Sequence, residues 1–416
     1  MEHSEPLRYR SFAYYCCVRA CTSLASQMIA VAVGWQMYEV THSALALGFI
    51  GLAQFLPLLS LVFVTGHVAD RFERRHIARI CELVEAAAVG VLCVTTISHA
   101  PPPALIYAMV VVLGIGRAFE TPANFALLPN VVPPGIIAAA SARVSTFQQV
   151  STIMGPALAG ILYAWHSAIP YGIAGACYLT AAVMMTLMRT RGRSVTTTGP
   201  VTWESVFAGL QFIRHTPIVL GAISLDLFAV LLGGATALLP IYARDILMTG
   251  PWGLGLLRTA PAVGALTVSL IIGRRPVRRH AGRVMFGAVA MFGVATIVFG
   301  LSHWLALSFA ALIVLGASDV LSVVIRSTLM AILTPDAMRG RVNAVNALFI
   351  GTSNQLGEFE SGVTAALLGP VAAVVLGGVG TILVAIGCFR GFPALAAIDS
   401  PAGTVSGLAS KTAPAS

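Results

Sequence analysis

Nine ionisable residues lie deep within long apolar runs of this sequence: Arg19, Arg117, Glu120, Asp226, Arg258, Asp319, Arg326, Glu358 and Glu360. Charge at bilayer depth is expensive, so such residues mark substrate or ion pathways or else structural ion pairs. A carboxyl can load and release a proton, because desolvation favours its neutral form. Asp226, Asp319, Glu120 and Glu358 are the candidates for that chemistry, with Arg117 or Arg326 tuning a neighbour. Arg117 and Glu120 are three residues apart and can pair on one helix face. Asp319 and Arg326 are seven apart, two turns along one face, so a proton on Asp319 would free Arg326 electrostatically. Glu358 and Glu360 are two apart and point in different directions, so at most one meets a shared path head-on. The competing reading is a set of ion pairs that hold helices together. Arg19 and Arg258 can also snorkel toward an interface.

The elements that carry these charges follow from composition. The 416 residues are 57% hydrophobic and only 10% charged, with a mean hydropathy of +0.87. Soluble domains carry about 25% charged residues, so the chain is read as a polytopic membrane protein. A span needs about 20 mostly apolar residues. Such runs lie near residues 12–37, 45–64, 77–97, 104–128, 137–165 and 168–188 in the first half, and 218–241, 252–272, 284–301, 304–333, 342–367 and 371–388 in the second. The expected fold class is all-α, with about twelve transmembrane helices in two six-helix pseudo-repeats. The first run is too long for a signal-peptide core and reads as a retained helix.

Arginine sets the orientation. Arg71, Arg74, Arg75 and Arg79, then Arg189, Arg191, Arg193 and Arg214, then Arg274 to Arg283, fall on one side, and only Arg244 falls on the other. The positive-inside rule therefore places both termini in the cytoplasm. The net charge of +9 is spread over these short loops and does not point to nucleic acid. The only lysine, Lys411, has no Gly-rich loop before it, which excludes a P-loop ATP motor. The seven cysteines form no CxxC pair, and His42, His99, His166 and His303 sit in four separate turns, so neither a metal site nor a cofactor is expected. No HExxH or GxSxG site occurs in the spans, which argues against an enzyme.

The polar stretch after Met188 divides the chain. The expected organisation is an N-terminal six-helix bundle (1–188), a cytoplasmic linker with an amphipathic helix (189–217), a C-terminal six-helix bundle (218–390) and a disordered cytoplasmic tail (391–416). In the linker, Val206, Leu210 and Ile213 mark the apolar side of a helix lying along the membrane. Two similar halves suit a transporter built from repeats.

The stretch Gly66-His67-Val68-Ala69-Asp70-Arg71-Phe72-Glu73-Arg74-Arg75, between the second and third spans, resembles the loop signature of the major facilitator superfamily through Gly66, Asp70, Arg71, Arg74 and Arg75. Glu73 stands where that signature has a second Gly. Arg117 to Ala123, Pro335 to Val342 and Ser353 to Gly362 resemble the enterobactin-exporter-like branch. Gly155, Pro156 and Gly160 are similar to the superfamily's antiporter motif, with Ser151 in place of an earlier Gly. The resemblance implies that spans 1, 4, 7 and 10 line a central cavity, and each of them here carries a charge. It implies that spans 3, 6, 9 and 12 face outward. These are free of charge at depth, span 3 having only Arg79, Glu82 and Glu85 near its cytoplasmic end.

The function this reading implies is secondary transport by alternating access, with proton entry driving export of a small organic or amphipathic molecule such as a drug or siderophore. Gln27, Trp35, Gln54, Gln148, Gln149, Asn354 and Gln355 offer hydrogen bonds along an otherwise apolar path. The expected partners are a small-molecule substrate, protons and the lipid bilayer, and the chain is expected to act as a monomer. The alternatives are a proton-coupled metabolite uptake symporter and, from another class, a non-transporting membrane sensor. The resemblance makes Gly66 to Arg75 a cytoplasmic gate, with Asp70 anchoring the loop near Gly340 and Arg341. Asp70→Asn is then expected to impair transport and leave substrate binding largely intact. Flux and equilibrium binding measured on the same preparation check this, and equal loss of both would make the stretch part of the binding site.

Overall fold

The computed structural model describes residues 10–98, 101–189, 203–275 and 279–399. Among these residues every element is helical. Twelve of the described helices are long: α1 (Arg10–Thr41), α2 (Ala44–Arg71), α3 (Arg74–Ser98), α4 (Pro103–Val131), α5 (Ile137–Trp165), α6 (Ile169–Leu187), α8 (Pro217–Leu232), α10 (Gly250–Arg274), α11 (Ala281–Leu301), α12 (Leu305–Leu333), α13 (Asp336–Leu368) and α14 (Pro370–Gly391). The short ones are α7 (Trp203–His215), α9 (Leu239–Ile241) and α15 (Pro393–Ala396). A 3-10 turn, α9 and a π-helical turn over Tyr242–Ile246 extend α8, so that its span runs over Pro217–Ile246.

Among the described residues, ten spans are long and apolar enough to cross a membrane by length and composition. The other two long helices, α5 and α13, hold their places in the order of helices but are too polar along their length. They are the fifth members of their respective sets of six.

The chain forms two units. The first takes in Met1–Pro200 and Leu239–Thr259, and the second Val201–Leu238 and Ala260–Ser416. In the first, α1 packs on α5 and α6, α3 on α4 and α6, and α2 on α4. In the second, α8 packs on α13 and α14, and α11 on α12 and α14. Replacing α1, α3, α4, α5 and α6 by α8, α11, α12, α13 and α14 turns one scheme into the other for every pair but α2 on α4, in keeping with two pseudo-repeats. Residues 239–259 join the first unit through polar bonds. Tyr38 donates its hydroxyl to Asp245, and Arg258 Nη1 donates to the Ala30 carbonyl at 2.7 Å.

Helix α3 shows how each bundle is made. Ile80, Leu83, Val84, Val91 and Val94 are exposed on one face, where lipid would lie, while Cys81, Glu82, Glu85, Ala88 and Val89 are buried on the other. The pattern is the reverse of a soluble amphipathic helix, because the solvent outside is hydrocarbon. Phe12, Tyr15, Ile77, Leu127 and Met185 close one end of the first unit. Leu225, Met285, Phe286, Leu329 and Leu395 form the core of the second.

The stretch from Gly66 to Arg75 ends α2 and starts α3. Arg74 Nη1 donates to the Ala126 carbonyl of α4 (3.2 Å) and Arg75 Nη1 to the Met188 carbonyl at the end of α6 (2.6 Å). Cations suit helix C-termini, where carbonyls lack partners. Glu73 pairs with Arg75 (3.2 Å) and His76 (3.4 Å). No residue of this turn has a positive φ, so a glycine is not required at position 73. The side chain of Asp70 lies outside the described residues.

Two segments bear on the expected organisation. In α7 the buried side is Gly209 and Ile213, set against Arg341 and Val345 of α13. Leu210 is exposed, and the Val206 side chain is outside the description. Gly209 and Ile213 therefore face protein, while Phe207 and Leu210 are exposed on another side of the helix. Residues 393–396 form α15, with Leu395 fully buried against α11 and Asp399 bonded to the His280 amide (2.9 Å). Residues 391–399 are therefore structured, because two apolar side chains, Leu395 and Ile398, anchor them. Residues 400–416 lie outside the description.

Close approach in the first unit depends on glycine at Gly160, where an added Cβ would lie 2.8 Å from the Gly255 Cα. Gly160→Val is expected to cost about 1–3 kcal/mol by overpacking and to lower the melting temperature of the purified protein. Gly287→Ala, whose Cβ would meet nothing within 4 Å, should leave it unchanged. Equal melting temperatures for both variants would contradict the packing described.

Candidate functional site

Among the described residues, buried charge gathers in two clusters, one in each unit. In the first, α1 brings Arg19 and Thr22, α3 brings Glu82 and Glu85, and α4 brings Arg117, Glu120 and Asn124. Glu82 and Glu85 are 0% exposed and Glu120 is 4%. Arg19 Nη1 stands 3.8 Å from Glu120 Oε1, and its guanidinium lies over the Phe125 ring at 6.0 Å. Asn124 Nδ2 donates to the same Glu120 oxygen at 2.5 Å. Thr22 Oγ1 donates to Glu82 Oε1 at 2.8 Å. Arg117 does not pair with Glu120 in the way its i, i+3 spacing suggests. It donates instead to Ser26 Oγ (2.5 Å) and to Gln54 Oε1 of α2 (3.1 Å), and it acts on Glu120 and Glu85 through space.

In the second unit Arg326 of α12 forms an ion pair with Asp226 of α8, both buried. Asp319 lines the same narrow cleft as Asp226, Ser318 and Ser322, close enough to act electrostatically on Asp226 and Arg326. The two-turn spacing of Asp319 and Arg326 thus holds, but the direct partner of the guanidinium comes from another helix. Three charges on two helices form one set.

The remaining candidates are elsewhere. Arg258 is bonded to a backbone carbonyl of α1. Glu358 and Glu360 are half-buried on α13. Glu360 Oε1 accepts from Thr364 Oγ1 at 2.8 Å, within its own turn, and Gly357 lets α13 close on the Val230 and Leu231 carbonyls of α8. Gly155 sits on the Gln27 side chain of α1, and Ser151 donates to the Ala20 carbonyl (3.1 Å). Ser151 therefore replaces the motif's glycine with a side chain that bonds α1.

Glu82 and Glu85 are the residues sequence reasoning misses. They lie eight and eleven residues into α3, about 12 and 16 Å along it at 1.5 Å per residue, and so at membrane depth. Assigning α3 to the outside of the bundle hides them. The visible signal is their i, i+3 spacing on the face opposite Leu83 and Val84.

Each cluster holds one more carboxyl than guanidinium: Glu82, Glu85 and Glu120 against Arg19 and Arg117, and Asp226 and Asp319 against Arg326. Such a set can bind and release a proton while its neutral state stays ion-paired.

Known proteins share this architecture. The family profile described as transmembrane secretion effector matches residues 2–404. Macrolide efflux protein A of Streptococcus pyogenes is 25% identical over 295 residues, covering 68% of this chain and 71% of that protein. Enterobactin exporter EntS of Citrobacter koseri is 25% identical over 365 residues, covering 86% of each. Among solved structures, a point mutant of the nucleoside transporter NupG superposes with a TM-score of 0.74 at 11% identity, over 91% of this chain and 99% of that one. A bacterial homologue of the human lysosomal transporter Spinster, inward-facing and occupied, gives 0.74 at 14%, over 93% and 97%. The helix order, the repeated packing scheme and the match across nearly the whole sequence agree: the chain belongs to the transmembrane secretion effector family of the major facilitator superfamily and is a multi-pass membrane transporter, not an enzyme.

Proposed function

We propose that this transporter exports a small amphipathic organic molecule in exchange for protons across a bacterial inner membrane, with both termini cytoplasmic. The observation that carries the reading is the Asp226–Arg326 pair beside Asp319. A single guanidinium faces two carboxyls. A proton arriving on either acid changes which one holds Arg326, and a two-state ion pair of this kind can tie proton occupancy to helix position. Export is supported by the relatives whose names state it, one for macrolides and one for enterobactin. Polar amides amid the apolar helices of each unit suit an uncharged, amphipathic cargo. Gln54 and Ser26 already bind Arg117, while the Gln355 Oε1 and Asn346 Oδ1 acceptors of α13 have no partner of their own.

Transport follows alternating access, in which rigid repeats rock around a central site. The polar helices α5 and α13, one in each set of six, are the ones least suited to lipid. A monomer is sufficient for this cycle.

A panel of a macrolide, enterobactin and ethidium tested for accumulation in an efflux-deficient host should show depletion of at least one compound. Flux of that compound in proteoliposomes should rise with an imposed pH gradient and fall to near background in Asp319→Asn. Accumulation rather than depletion would select uptake, and binding without flux would select a sensor. Separately, Arg326→Ala should destabilise the protein by about 3–5 kcal/mol, because it strands Asp226 without its partner. Arg326→Ala combined with Asp226→Ala should recover most of that loss. Denaturation of the two variants checks the sign, and equal stability would remove the pair from the account.

A further inference from the structure

The cluster of the first unit is sealed. Its acids are buried, and it is short of hydrogen-bond donors. Glu82 Oε2, both oxygens of Glu85 and Asn124 Oδ1 are buried acceptors with no donor of normal geometry. A buried acceptor without a donor is costly, and a buried net charge more so. Three ionised carboxyls against two guanidinium groups would leave both defects in place. One proton on a carboxyl removes the surplus charge and adds a donor.

Glu85 is the acid the geometry selects. Glu82 is held by Thr22 and Glu120 by Asn124 and Arg19, whereas Glu85 has only the Tyr178 hydroxyl nearby, outside normal hydrogen-bond geometry. Its carboxyl occupies room that Gly116 of α4 leaves open, since a Cβ there would fall 2.6 Å from Glu85 Oε1. The groups that face Glu85 are Arg117 and Glu120 from α4 and the Tyr178 hydroxyl from α6, with Glu82 and Cys81 from its own helix and Arg19 of α1 behind Glu82. Among the described residues no group of His, Cys, Asp and Glu side chains is arranged to hold a metal ion, so these carboxyls do not converge on a cation.

We propose that Glu85 is the proton-binding site of the first unit, carrying a neutral carboxyl under Gly116 and releasing its proton when the cluster admits water. In that step the O–H bond breaks, the electron pair stays on the carboxylate, the proton passes to water, and Arg117 neutralises the charge left behind. The inference rests on the proton-coupled reading and adds to the Asp319 set of the second unit a proton site on α3 of the first.

The test is infrared difference spectroscopy of the purified full chain, following the protonated-carboxyl stretch through a pH titration in H2O and D2O. Glu85→Gln should delete one titrating component that Asp319→Asn leaves in place. A Glu85→Gln spectrum that titrates like the wild type would overturn the assignment, as would loss of the same component in Glu82→Gln or Glu120→Gln instead. Should Glu85→Gln not fold, Gly116→Ala carries the test. It keeps every acid but crowds the carboxyl, so the midpoint of that component should move, and an unmoved midpoint counts against the proposal. Wild-type flux of a macrolide that ignored an imposed pH gradient would contradict proton-coupled export while leaving the carboxyl titration readable, so the two failures are distinguishable.

Discussion

An unbalanced buried acid is the constraint on which this structure turns. In hydrocarbon a carboxylate has neither water nor bulk counter-ions to stabilise it, and each cluster holds one more carboxyl than guanidinium. The surplus leaves three outcomes: a bound proton, a visiting cation, or water let in by helix movement. Two of these are steps of a transport cycle. Ion pairs that served only to hold helices together would be balanced, one carboxylate to each guanidinium.

The rest of the architecture positions the surplus. The lipid-facing valines and leucines of α3 orient its acids inward, and Gly116 makes room for one of them. Ser26 and Gln54 fix Arg117 from two further helices. In the second unit the spacing of Asp319 and Arg326 sets both on one face of α12, and α8 supplies Asp226 across from them. The same packing scheme in both units explains why a similar charge arithmetic arises twice from different residues on different helices.

Much of this is legible in the sequence. The twelve long helices and their order follow from hydropathy, which depends on local chemistry alone, and the superfamily signature is found by resemblance. Asp226, Asp319, Arg326, Arg117 and Glu120 stand out because charge inside an apolar run is conspicuous. Partners are harder to find. The Arg326–Asp226 and Arg19–Glu120 pairs join helices far apart in the chain, and no spacing rule reaches across them. Glu82 and Glu85 escape notice because they stand near Arg79, which suggests a water-facing helix end. Their burial depends on the roll of α3 against α4 and α6, which only packing determines.

The measurement that tests the central claim most directly is proton movement driven by substrate. Purified protein is reconstituted into vesicles enclosing a pH-sensitive dye, and a compound shown to be exported is added outside with no imposed pH gradient. The account predicts a change in lumenal pH that tracks compound entry and disappears when Asp319 and Glu85 are both replaced by their amides. Compound entry at the same rate with constant lumenal pH would contradict it.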